Sequence, residues 1–133
     1  MSSKLRMIAL CLTAVASIFY VRDAHALWPI RYSWSCLASS STQVQCDFTV
    51  TNPGPSGYEY KWLFGDGAST GRSTSTTTTH YYAVSAGQSG AFNVSLLGYA
   101  SSTSGLDNVI ECSVSFGNDW GVGGGPVYTG NCQ

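Results

Sequence analysis

Between Tyr58 and Phe64 every second residue is aromatic, so that Tyr58, Tyr60, Trp62 and Phe64 fall on one side of an extended chain and Glu59 and Lys61 on the other. Side chains alternate with a period of two along a strand, whereas a helix would scatter these four rings around its circumference. The aromatic side belongs in a core. Gly65-Asp66-Gly67 follows at once, and these residue types supply the backbone angles of a tight turn.

The same period runs through most of the chain. Tyr32, Trp34 and Cys36 share one face of a first predicted strand, and Val44, Cys46, Phe48 and Val50 one face of a second. The breaker run Asn52-Pro53-Gly54-Pro55-Ser56-Gly57 separates the second from the third. Ser73 to Thr79 consists only of Ser and Thr; it reads as an edge strand rather than a flexible loop because His80-Tyr81-Tyr82 continues it with bulky residues. Gly90 opens a strand with Phe92, Val94 and Leu96 on one side and Asn93 and Ser95 on the other, and a last strand turns Ile110, Cys112, Val114 and Phe116 inward. Residues 117–133 are glycine-rich and read as a tail held through Cys132. No stretch after residue 26 holds helical spacing beyond about two turns. The expected fold is an all-β sandwich of about seven strands.

The first 26 residues read differently. Lys4 and Arg6 precede an apolar run from Met7 to Val21, and Ala24 and Ala26 place small side chains where a signal peptidase reads them. A secretory signal peptide is expected at 1–26, with cleavage after Ala26. An uncleaved anchor needs about 20 apolar residues, and the run stops short at Arg22. Cys11 lies inside the apolar run behind the large Leu10, which does not suit a lipoprotein signal. The remaining 107 residues suit one domain, expected over 27–116 with the tail beyond it. No membrane span is expected once the leader is removed, and a secreted, periplasmic or extracellular location follows.

After Ala26 the charges are Arg31, Lys61 and Arg72 against Asp47, Glu59, Asp66, Asp107, Glu111 and Asp119. Three scattered cations cannot form the basic patch that neutralises phosphates, so no nucleic-acid partner is expected. Cys36, Cys46, Cys112 and Cys132 are even in number and follow an export signal, which points to two disulfides. Structural zinc is the competing reading, but close Cys-x-x-Cys spacing is absent and His80 is the one histidine after the leader.

Three blocks together resemble a known family. Tyr60-x-Trp62-x-Phe64-Gly65-Asp66-Gly67, then His80-x-Tyr82, then Gly90-x-Phe92-x-Val94-x-Leu96 is similar in order and parity to the signature of the PKD (polycystic kidney disease) domain, over roughly Ile30 to Phe116. The resemblance implies an immunoglobulin-like sandwich, a secreted bacterial protein, and structural roles for these motif residues. Family members serve as binding or spacer modules beside catalytic domains. Bacterial members often carry facing cysteines on their first two strands, in a pattern like Tyr32-x-Trp34-x-Cys36 and Cys46-x-Phe48, which implies Cys36 with Cys46 and hence Cys112 with Cys132. Each bridge would restrict the unfolded chain by roughly 3 kcal/mol on the loop-entropy account. Cys36 with Cys112 is the rival pairing. The segments between Tyr82 and Gly90 and between Cys36 and Cys46 are longer than the family pattern, and insertions in loops cost little.

Catalytic chemistry has few candidates. A Ser-His-Asp arrangement would have to use His80, which the His-x-Tyr block assigns to structure, and no Gly-x-Ser-x-Gly elbow is present. Bridged cysteines offer no thiolate. A glycosidase pair would draw on Glu59, Asp66 or Glu111, but small sandwiches lack a deep cleft and Asp66 has a turn to hold. Asp66, Asp107 and Asp119 lie near predicted loops without forming an Asp-x-Asp-x-Asp-Gly calcium loop. Neither metal nor organic cofactor is expected, and the chain is expected not to be an enzyme. Asn93-Val94-Ser95 is a formal glycosylation triplet, but it sits inside a predicted strand.

Binding suits the composition better. Aromatic residues make up 13% of the chain, and Trp28, Tyr81, Tyr99, Trp120 and Tyr128 fall outside the inward-facing sets. Exposed rings of this kind stack on sugars or anchor a partner protein; the competing reading has Trp28, Trp120 and Tyr128 packing the two termini onto the sandwich. The expected function is a secreted, non-catalytic module making protein-protein or protein-carbohydrate contact. A small secreted inhibitor or hydrolase, working through the loop from Ala83 to Gly90 or through the tail, is the alternative.

Overall fold

The computed structural model describes residues 27–120 and 125–133; the leader expected at 1–26 lies outside the described residues. Seven strands follow one another among them: β1 (Tyr32–Ser40), β2 (Gln43–Val50), β3 (Glu59–Leu63), β4 (Thr77–Ala83), β5 (Gly90–Tyr99), β6 (Leu106–Phe116) and β7 (Tyr128–Cys132). They form two antiparallel sheets, one ordered β4-β2-β1-β7 and the other β3-β5-β6. β1 and β2 make one hairpin and β5 and β6 another, while the chain changes sheet between β2 and β3, β3 and β4, β4 and β5, and β6 and β7. The fold is an all-β sandwich with two disulfides.

The two inward faces are the sets that alternation selects. Tyr32, Trp34, Cys36, Val44, Cys46, Phe48 and Val50 come from the four-stranded sheet, and Tyr60, Trp62, Val94, Leu96 and Val114 from the three-stranded one; all are buried. Trp62 packs edge-on against Tyr32, with centroids 5.1 Å apart, and lies 5.4 Å from Phe48, so the third strand's rings fill the space between the sheets. Burying an aromatic side chain contributes about 2–3 kcal/mol, enough for this layer to dominate the packing. A polar tie crosses the same layer, where the Tyr32 hydroxyl donates to the Val94 carbonyl at 2.7 Å.

Cys36 faces Cys46 directly across β1 and β2 and is bonded to it. Cys112 on β6 is bonded to Cys132 on β7, so this bridge joins the two sheets. Both pairings are those the family resemblance implies.

Residues 117–133 require a correction. They are not merely a tail, because Tyr128–Cys132 is a full sheet strand, paired with β1 from Tyr32 opposite Cys132 to Cys36 opposite Tyr128. The domain therefore extends past 116. Its pattern looked weak in sequence because glycine takes an inward position: a Cβ on Gly130 would lie 2.6 Å from the Trp34 ring, which fills that place instead. The Ser/Thr run is also shorter as a strand than expected. β4 begins at Thr77, after an isolated bridge between Ser73 and Tyr60, and it is an edge strand as expected. Ile110 and Cys112 are half-buried, whereas Val114 and Phe116 are buried.

Candidate functional site

The Gly65-Asp66-Gly67 turn is built around one polar contact. Gly65 has φ +85°, and a Cβ there would lie 2.5 Å from the Asn93 carbonyl oxygen, so both conformation and space require glycine. Asp66 Oδ1 accepts the Ala68 amide at 3.1 Å, closing the turn, and Oδ2 lies 2.7 Å from His80 Nε2 on β4. The His80 ring stacks on Phe64 and meets the edge of Tyr82, whose hydroxyl donates to the Phe64 carbonyl at 2.8 Å. Partial burial raises the Asp66 carboxyl's pKa, but the hydrogen bonds from His80 and the Ala68 amide outweigh this and hold it below its ordinary value of 3.8. No hydroxyl among the described residues hydrogen-bonds the His80 ring; its partner is Asp66. Turn and edge strand are thereby locked together.

The five aromatic candidates do not converge. Trp120 is 4% exposed and donates its indole N–H to the Gln88 carbonyl at 2.6 Å. Trp28 is half-buried, its indole donating to the Asn52 carbonyl and its amide to Asp107. Tyr128 packs 6.5 Å from Phe116. Trp120 belongs to the core cluster and Trp28 and Tyr128 pack against it, so all three contribute to the packing of the two ends. Tyr99 lies on the outward face of the three-stranded sheet under the Arg72 guanidinium, 3.7 Å from its centroid. Tyr81, 50% exposed, stands alone on the outward face of the four-stranded sheet.

That second face holds a group of residues not singled out in sequence. Its register sets two polar rows across four strands. Thr77, Thr49, Ser33 and Asn131 make one; Thr79, Asp47, Ser35 and Thr129 make the next. Tyr81, Gln45 and Leu37 follow in the row beyond. Asp47 is fixed within the grid, accepting from Thr79 Oγ1 at 2.6 Å and from Gln45 Nε2 at 3.3 Å. A shallow trough of about 300 Å³ runs along Ser33, Ser35, Asp47, Thr49, Thr129 and Asn131, floored near Trp34 and Gly130. Its lining holds one carboxylate and no cation. The one signal in sequence was the run of Ser, Thr and Asn on the outward parity of β1, β2, β4 and β7, which becomes a surface only when register sets the strands side by side.

Asp66, Asp107 and Asp119 are not brought together, and no group of three potential metal ligands occurs among the described residues. Glu59 is engaged by Arg72 at 3.1 Å. Asn93 is exposed on β5. No helix among the described residues is long and apolar enough to cross a membrane. Compared with models of protein families, with curated proteins and with solved structures, the chain finds no match in any of the three.

Proposed function

We propose that the protein is an exported, non-catalytic PKD-like module that binds a neutral polysaccharide on the outward face of its four-stranded sheet. The observation that carries this reading is the two-row grid of hydroxyls and amides around a held carboxylate, Asp47, with Tyr81 at one end. Hydroxyl-rich ligands exchange hydrogen bonds with such groups in both directions, and an exposed ring supplies the apolar contact a sugar face needs. A protein partner fits less well, because the buried centre of a protein interface is apolar and this face has only Leu37 and Tyr81 to offer. Polyanions fit less well still, since Asp47 lies in the grid and the trough is lined by no cation.

Two further features support the family and location parts of the reading. β1-β2-β4 in one sheet and β3-β5-β6 in the other correspond to strands A, B, E and C, F, G of an immunoglobulin-like sandwich, with β7 added beside β1. Two disulfides accord with an oxidising compartment and so with export and cleavage of the leader.

Co-sedimentation with insoluble neutral polysaccharides tests the binding. The native protein should deplete from solution, and Ser35→Arg, which fills the trough, should lose about tenfold or more in affinity at unchanged melting temperature. Retention that survives Ser35→Arg and Tyr81→Ala together would place the ligand elsewhere. Release of soluble sugar would overturn the non-catalytic part.

A further inference from the structure

The β4 edge of the four-stranded sheet is unguarded. Edge strands are ordinarily kept from pairing with other chains by a Lys, a Pro, a bulge or a covering segment. Thr77–Ala83 holds no Lys, Arg, Asp, Glu, Pro or Gly, and its register with β2 runs without a shift. Among the described residues no segment pairs with its far side. Other edges differ: the outer side of β3 is met by Ser69 and Ser73 through isolated bridges, and β6 carries Asp107 and Glu111.

Parity decides which backbone groups on this edge are open. The Val50 amide donates to the Thr76 carbonyl and the Val84 amide to the Thr42 carbonyl, so the even-numbered residues of this strand direct their N–H and C=O groups at β2. Thr77, Thr79, Tyr81 and Ala83 direct theirs away from the sheet. At Thr77 both groups are engaged by Ser75 Oγ, which donates to the carbonyl at 3.0 Å and accepts from the amide at 3.4 Å. Thr79, Tyr81 and Ala83 have no such backbone partner among the described residues. The open stretch is therefore symmetric about Tyr81, and a second β4 carries the same spacing of open groups in reverse. A two-fold axis at Tyr81, perpendicular to the sheet, sets Tyr81 opposite the partner's Tyr81 and Thr79 opposite the partner's Ala83, with two hydrogen bonds in each pair so formed. Sliding the strands by two residues would set Thr77 opposite the partner's Ala83 and call on groups that Ser75 already holds. Tyr81, 50% exposed, gains an aromatic neighbour in the first register and not in the second.

We infer that β4 is a self-pairing edge, through which two copies join their four-stranded sheets into one continuous sheet centred on Tyr81. The inference is independent of the polysaccharide reading, since it rests on backbone groups at the sheet edge. Because the axis is perpendicular to the sheet, both polar grids lie on the same side, and a repeating polymer held by one grid meets the second alongside it. One short strand against another falls below a standard interface, so the dimer is expected in the roughly micromolar to millimolar range.

Sedimentation equilibrium on the purified protein, up to about 1 mM, reads the association directly. The native chain should show a reversible monomer-dimer equilibrium. Ala83→Pro removes an amide that makes no bond within the sheet and sets a ring on the edge, so it should be monomeric at a nearly unchanged melting temperature. Cross-linking reads the register. Opposed Cα atoms in a hydrogen-bonded pair lie about 5.5 Å apart, within the span of a disulfide, so under mild oxidation Tyr81→Cys should give a covalent dimer at least about tenfold faster than Thr77→Cys. A native protein still monomeric at about 1 mM overturns the inference. So does a dimer indifferent to Ala83→Pro, or cross-linking no faster through Tyr81→Cys than through Thr77→Cys.

Discussion

His80 lies flat on Phe64, ring centroids 4.1 Å apart and planes within 1°, while its Nε2 is held 2.7 Å from the Asp66 carboxylate. The imidazole joins a turn that leaves the three-stranded sheet to an edge strand of the four-stranded one, and it is stacked as well as hydrogen-bonded. That combination gives it a structural role with a measurable signature. His80→Ala should remove both contacts and cost about 1–2 kcal/mol, a fall in melting temperature of roughly 5–15 °C for a domain of this size. Polysaccharide binding should be unaffected, because the grid lies on the opposite side of the sheet.

Asp66 also sets a pH dependence. Its folded carboxyl titrates below its unfolded value of 3.8, so the unfolded state binds the proton first as acid is added. The stabilisation is therefore present above the ordinary carboxylate range and is lost as pH falls through and below it. Asp66→Asn should lower the melting temperature at pH 7 and flatten the decline expected of the native protein as pH falls below about 4. Parallel declines in the two proteins would show that other carboxylates govern acid unfolding.

Alkaline behaviour follows from the buried phenols. Burial raises Tyr32 and Tyr82 well above the ordinary 10.0, and Tyr58 rises through burial together with its hydrogen bond to Asp107. Here the folded state holds the proton longer, so stability is full below about pH 10 and falls as pH climbs past it. Absorbance at the phenolate band should show these tyrosines ionising together with unfolding, and Tyr32→Phe should cost about 1 kcal/mol through its lost bond to Val94.

The two disulfides should not contribute equally. Cys36 and Cys46 close a span of 10 residues between strands that are already paired, whereas Cys112 and Cys132 close a span of 20 and join the two sheets. Replacing Cys112 and Cys132 by Ala should destabilise by about 3 kcal/mol and expose the β7 amides to hydrogen exchange, more than the corresponding change at Cys36 and Cys46. An equal loss from both pairs would contradict the idea that β7 depends on its bridge.

Trp120→Ala separates packing from recognition at the C-terminal end. The indole is buried and bonded to Gln88, so its loss should cost about 3 kcal/mol and lower the melting temperature by roughly 12–24 °C, without changing the proposed polysaccharide retention.

Much of this architecture was legible in residue order. Tyr58, Tyr60, Trp62 and Phe64 alternate so strictly that only a strand buried on one side can hold them, and Gly65-Asp66-Gly67 can hardly follow as anything but a turn. The inward faces of β1, β2 and β5 obey the same period. β7 escaped that logic because Gly130 gives up its side chain to make room for Trp34, a substitution of volume across two strands that periodicity within one strand does not record.

Residue order alone determined that every strand but β7 forms, which side of each of those is apolar, and that four cysteines would close two bridges. It could not set strand against strand, because pairing register is a relation between segments distant in the chain. Register is what turned scattered Ser, Thr and Asn residues into one polar grid around Asp47 and placed Leu63, Leu97 and Val109 together on the opposite face. Burial likewise sorted five unassigned aromatics into packing residues and exposed ones, since the space that encloses Trp120 and leaves Tyr81 in water exists only once the sheets are stacked.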